Sequence, residues 1–205
     1  MRITNTFPEG QLIDITRELT GTPVHPGNPV PELARIRRME DGAANNLSSL
    51  SMCVHNATHA DAPLHFIKDG RDIAQCKPEI FVGECLVRAF SGMISADDIS
   101  SLPDNCTRLL IKGDATVTEE AAKALVNRGI ILVGIERSAI GVPGNTQPVH
   151  LILLGANVGI LEGLDLSQAP EGNAFVMAQP LKISGSEGAP CRALLYIIKQ
   201  DVTQT

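Results

Sequence analysis

Short apolar runs closed by Gly, Pro, Asp or Asn recur along the chain. They predict strands at 11–15, 50–54, 81–90, 108–111, 130–135, 175–178 and 192–198. The run Gly129-Ile130-Ile131-Leu132-Val133-Gly134-Ile135 is apolar at every side-chain position, as in a strand buried on both faces. Two stretches change to helical spacing. Thr118 caps the first, Glu119 and Glu120 sit in its first turn, Ala121, Ala124, Leu125 and Arg128 repeat at helical intervals, and Gly129 stops it. The second covers about 148–154 and ends at Gly155. Helix, strand, helix, strand over 118–161 reads as an α/β unit, and the Pro-Gly stretches at 26–29 and 143–145 read as turns. With no repeat, charge block or linker, 1–205 is expected to be one domain.

Composition narrows the function. The chain has 205 residues and is 43% hydrophobic, enough for a substantial core and too apolar for disorder. A net charge of −6 argues against nucleic acid, whose phosphates need clustered Lys and Arg. Aromatic residues make up 3% with no Trp, so stacking platforms for bases are scarce. No apolar run reaches the roughly 18 residues of a membrane helix, and the opening Met1 to Gly10 lacks the apolar core of a signal peptide. Five cysteines without a Cys-x-x-Cys pair fit ordinary small apolar residues in a reducing cytoplasm.

The chemistry concentrates in one place. Three of five histidines fall within eleven residues, His55-Asn56-Ala57-Thr58-His59-Ala60-Asp61-Ala62-Pro63-Leu64-His65. Imidazole and carboxylate are the usual ligands of a catalytic divalent cation. Pro63, Asn56, Thr58 and Asp61 oppose a helix here. A strand ending near His55 and a tight loop would let His59 and Asp61, two apart, point the same way. Three protein ligands leave room for water and substrate. His65 is either a fourth ligand or a general acid or base. Ser184-Gly185-Ser186-Glu187-Gly188 is not a Gly-x-Ser-x-Gly nucleophile elbow, and no phosphate-binding glycine motif occurs.

The cluster resembles the His-x-Gly-Thr-His-x-Asp-x-Pro-x-His motif of the bacterial kynurenine formamidase and cyclase family, metal-dependent hydrolases that include isatin hydrolase. Leu12 to Thr16, His25 to Pro29, Asp61 to Gly70, Ala121 to Ile135, Val149 to Leu154, Gly159 to Leu164, and Pro180 to Ala193 are similar to further family segments in the same order. The resemblance covers about nine-tenths of the chain. It implies a β/β/α layered α/β fold of the swivelling type, with a mixed β-sheet core and a few helices. It implies metal ligands His55, His59 and Asp61, with Asp61 bridging to a second half-site of His150 and Glu162, and proton transfer by His65. The implied cofactor is a divalent metal, zinc ahead of manganese, as one or two ions. The implied function is arylformamidase-like hydrolysis of a small amide or cyclic amide. Water activated by the metal would attack the carbonyl. A homodimer or homotetramer is implied too, with a neighbour's N-terminal segment at the pocket. His25 is then either a partner-facing residue or an exposed loop histidine.

Four departures stand against the family pattern. Ala57 replaces the motif glycine, in a turn expected to need positive φ. Glu136 replaces an aspartate, and Asn28 replaces a loop aspartate. Gly113-Asp114-Ala115-Thr116-Val117 replaces a long aromatic-bearing loop, so the site is expected to be open and without an aromatic wall. The alternative function is a non-catalytic metal or small-ligand binding protein on the same fold.

Overall fold

A computed structural model describes residues 9–198; the first eight residues of the opening segment lie outside that range. The strands are β1 Gly10–Asp14, β2 Glu32–Arg37, β3 Leu47–Ser51, β4 His59–Asp61, β5 Val82–Ala89, β6 Gly92–Ile94, β7 Arg108–Lys112, β8 Ala115–Val117, β9 Leu132–Ile135, β10 Gly159–Glu162, β11 Gly172–Met177, β12 Gly188–Pro190 and β13 Leu194–Ile198. The helices are α1 Ala96–Ser100, α2 Glu119–Asn127 and α3 Gln147–Gly155. All but four strands join one sheet, in the order β1-β13-β11-β5-β7-β9-β10-β4-β12. Its centre, β5-β7-β9-β10, is parallel, and both flanks are antiparallel.

Strand alternation sorts the two faces. Leu110, Leu132, Leu161, Ala60 and Ala189 share one apolar cluster with Ile13, Leu195, Val176 and Val87, so all nine strands of the sheet surround it. The sheet therefore curls over its own core and supplies two β layers. The alternate residues Leu109, Ile111, Val133, Ile135 and Ile160 face the other way and pack with Ala121, Leu125, Val149 and Leu153 of α2 and α3. These helices form the third layer, in an α/β arrangement of the expected class. Among the described residues no helix is long and apolar enough to cross a membrane.

All seven predicted strands overlap observed ones, and α2 starts after its Thr118 cap, whose side chain accepts from Ala121 N–H. The strand expected at 50–54 instead ends at Ser51, leaving His55 in the following turn. The stretch read as a shortened loop holds β8, which is buried and pairs in parallel with β6. Glu136 braces that turn. Its carboxylate accepts from Gly113 N–H (2.5 Å) and Leu166 N–H (3.0 Å), a span suited to the longer side chain. The β2–β3 hairpin stands apart from the main sheet, and its residues are almost all exposed.

Ala57 does adopt the left-handed conformation, φ 53°. Asp69 and Asn157 share it, but their short polar side chains tolerate it better than a methyl does. The carbonyl of Ala57 also sits where a Cβ on Gly163 would come within 2.2 Å, and Gly163 has φ 66°. Ala57→Gly is therefore expected to stabilise the fold by about 1 kcal/mol, and Gly163→Ala to destabilise it by at least about 1–2 kcal/mol. Midpoints of chemical denaturation measure both. No gain for Ala57→Gly would mean that the turn is not strained.

Candidate metal centre

Strand β4 is inserted between β10 and β12, and this pairing builds the centre. Glu162 lies opposite His59, and Ile160 opposite Asp61. On the other side Gly188 lies opposite Asp61. Ala60 and Leu161 point into the curled core, so His59, Asp61 and Glu162 emerge together on the helix-covered face. From above, α3 brings in His150, which is buried rather than at the surface. Its neighbours Val149, Leu153 and Leu154 anchor the helix in the apolar layer.

The loop before β4 is pinned by its polar residues. Thr58 Oγ1 donates to the Gly163 carbonyl at 2.5 Å and accepts from Arg17 N–H at 2.8 Å. Asn56 Nδ2 donates to the Leu19 carbonyl at 3.0 Å. These bonds hold His55 beside the strand. His55 Nδ1 is 2.9 Å from Asp61 Oδ1.

Asp61 is the hub. Its Oδ1 lies 3.5 Å from His59 Nε2, and its Oδ2 lies 3.5 Å from His150 Nε2. Glu162 Oε1 lies 3.1 Å from His150 Nε2 and accepts from Ile140 N–H at 2.8 Å, while Oε2 lies 3.5 Å from His59 Nε2. Two triads result, His55/His59/Asp61 and Asp61/His150/Glu162, each with donor atoms within 4.8 Å of one another. His59 Nε2 and Asp61 Oδ2 are buried at the centre without a hydrogen-bond partner. Buried polar atoms are normally satisfied, so this convergence of orphaned nitrogen and carboxylate donors fits a divalent cation.

His65 ends a 3-10 turn that opens at Pro63, and its ring stacks on His55 at 4.0 Å. Its ring centre is 5.9 Å from that of His150, whose other neighbour is the Phe66 ring at 4.5 Å. A cavity of about 250 Å³ opens beside His55 and His59. Arg17, His25, Glu136 and Ser138 also line it, and no Phe or Tyr does among the described residues. His25 is exposed and lines this cavity. Sequence reading missed Glu187, whose Oε1 lies 3.4 Å from His55 Nε2. Only the β4–β12 pairing brings it there, although it directly precedes a glycine of a recognised segment.

The charges are coupled. Burial opposes the charge of His59, but Glu162 and Asp61, with the Ala57 carbonyl, outweigh it and hold the imidazole at about 9. Burial likewise opposes His150, while Asp61 and Glu162 raise it to about 10. Burial alone would raise Asp61, yet the imidazoles of His150, His55 and His59 push it well below the usual carboxylate range. Burial lowers His65, so it is a neutral imidazole near pH 7.

Residues 13–141 match the family described as "Putative cyclase". The kynurenine formamidase of Erythrobacter litoralis (strain HTCC2594) is 31% identical over 201 residues, covering 90% of this chain and 93% of that enzyme. A solved structure described as a potential metal-dependent hydrolase with cyclase activity superposes with a TM-score of 0.79 at 31% identity, over 94% of this chain and 100% of the other. Isatin hydrolase A from Labrenzia aggregata superposes with a TM-score of 0.81 at 23% identity, over 93% and 94% of the two chains, a likeness of fold.

Both raised imidazoles lie above the ordinary value of about 6.5. Their contribution to metal-free stability is complete below about pH 6.5 and is lost as pH rises through 9 and 10. A cation must displace those protons. Calorimetric titration of metal-free protein with Zn²⁺ at pH 7, in buffers of different ionisation enthalpy, should report release of about two protons. Uptake without proton release would show that the imidazoles are neutral before the metal arrives.

Proposed function

This chain belongs to the cyclase family, and from that premise we propose that it is a metal-dependent amidohydrolase cleaving a C–N bond in a small amide or cyclic amide, with arylformamidase-like chemistry. The carrying observation is the buried Asp61 carboxylate, with imidazoles of His55, His59 and His150 and the carboxylate of Glu162 gathered around it. In this reading residues 1–205 work as one hydrolase domain. His55, His59, Asp61, His150 and Glu162 hold one or two divalent ions, and zinc is preferred to manganese for this nitrogen-containing donor set.

A cation held there supplies Lewis-acid polarisation of the scissile carbonyl and lowers the pKa of water toward about 7. His65 handles the proton. Its burial keeps the imidazole neutral, so it accepts a proton and returns it to the leaving nitrogen. Stacking on His55 fixes its ring plane at the edge of the centre. The cavity beside His55 and His59 has room for a small molecule, and Arg17, held by the Leu164 and Glu136 carbonyls, gives its wall a positive charge.

The reading includes a homo-oligomer, at least a dimer. The β2–β3 hairpin and its flanks expose Val30, Leu33, Ile36, Met39 and Leu50, each at least half exposed. An apolar hairpin lying outside the main sheet is a surface that a second copy would cover.

His59→Ala and Asp61→Ala should abolish both bound metal and hydrolysis. His65→Ala should keep the metal and lose about 10²–10⁴-fold in turnover. Elemental analysis and a panel of N-formyl anilides, lactones and cyclic amides measure these effects. Metal without turnover of any panel member would favour the non-catalytic binder, and metal loss in His65→Ala would make that residue a ligand. Sedimentation equilibrium should find at least a dimer, and Leu33→Glu with Leu50→Glu should dissociate it; a monomeric wild type would remove the hairpin from the assembly.

A further inference from the structure

The three imidazoles around Asp61 do not face it alike. The Nδ1–H of His59 donates to the Ala57 carbonyl at 3.0 Å, and that of His150 donates to the Thr146 carbonyl at 2.9 Å. Each of these rings therefore leaves Nε2 toward the carboxylates. His55 is turned around. Its Nδ1 lies against Asp61 Oδ1 at 2.9 Å, and its buried Nε2, which makes no hydrogen bond here, lies 3.4 Å from Glu187 Oε1. A neutral imidazole carries one proton, and only the bare nitrogen can bind a cation.

We infer that His55 offers Nδ1 to a cation shared with Asp61, and that Glu187 is the positioning residue that receives its Nε2–H. The inference rests on the metal-dependent reading above. A carboxylate on the far nitrogen of a ligating histidine fixes its tautomer and ring plane and makes the near nitrogen a stronger donor. His59 and His150 get the first of these from backbone carbonyls. His55 sits on a loop, and here a charged side chain does that work.

The chain builds this contact through β12. Gly188 lies opposite Asp61, and a Cβ on it would come within 2.7 Å of His55 Cε1 and 3.3 Å of Nδ1. The glycine thus admits the edge of the imidazole, while His65 covers its face at 4.0 Å. The Glu187 backbone is fixed, because its carbonyl accepts from Ala62 N–H at 2.8 Å. Next to it, Ser186 Oγ donates to the Gly188 carbonyl at 2.7 Å. The Glu187 side chain remains 42% exposed, so its carboxylate stays in contact with water while its tip approaches the buried nitrogen.

Zinc affinity of the full chain, measured by competition with a chromophoric chelator, tests the role. Glu187→Ala should weaken Zn²⁺ binding about 10–100-fold, and Glu187→Gln, which keeps an acceptor oxygen, should recover part of the loss. Histidine ¹⁵N spectra of the zinc-loaded wild type give a second readout that needs no variant. His55 should carry its proton on Nε2, and His59 and His150 on Nδ1. Unchanged affinity in Glu187→Ala, or a proton on His55 Nδ1, would overturn the inference and leave the metal-dependent function standing. A wild-type chain that takes up no zinc would overturn both.

Discussion

A carboxylate taken almost wholly out of water is the constraint around which this molecule is arranged. Asp61 is 1% exposed, and an unpaired charge at that depth costs several kcal/mol. Three imidazoles converge on it, each from a different structural element: a loop, its own strand and a helix. Such a cluster is held by the layers that carry it, since β10 packs on both faces of the sheet through Leu161 and Ile160, and α3 packs on one. The core supplies the rigidity, and the polar groups concentrate their cost at one point, where a cation compensates them.

Departures from the family pattern are absorbed locally. Ala57 keeps the left-handed turn that a glycine would make without strain, and Thr58 and Asn56 clamp that turn from both sides. The replacement at 136 is matched by the short 113–117 connection, because the longer carboxylate reaches Gly113 as well as Leu166. Neither change removes a donor from the centre.

What could be read from the residues depended on distance along the chain. Strands of four or more residues with apolar centres were visible, because alternation or burial needs that length to show. β6, β8 and β12 have three residues each and were not, and β2 carries no buried face to make a pattern. His55, His59, Asp61 and His65 were legible from composition, since they crowd into eleven residues. His150 and Glu162 came only through family resemblance. Their convergence depends on the β10–β4 pairing, a contact across about a hundred residues that spacing does not encode. Glu187 depends in the same way on β12.

The direct opposition of His59 and Glu162 across two adjacent strands limits how this region can drift. Side chains alternate, so removing or adding one residue within either strand would turn its acidic and basic groups into the oily interior and bring Ala60 or Leu161 out in their place. Chemistry on one surface and packing on the other would fail in the same event. Descendants of this chain are thus free to exchange side chains here, but length changes survive only outside the ladder or in steps of two.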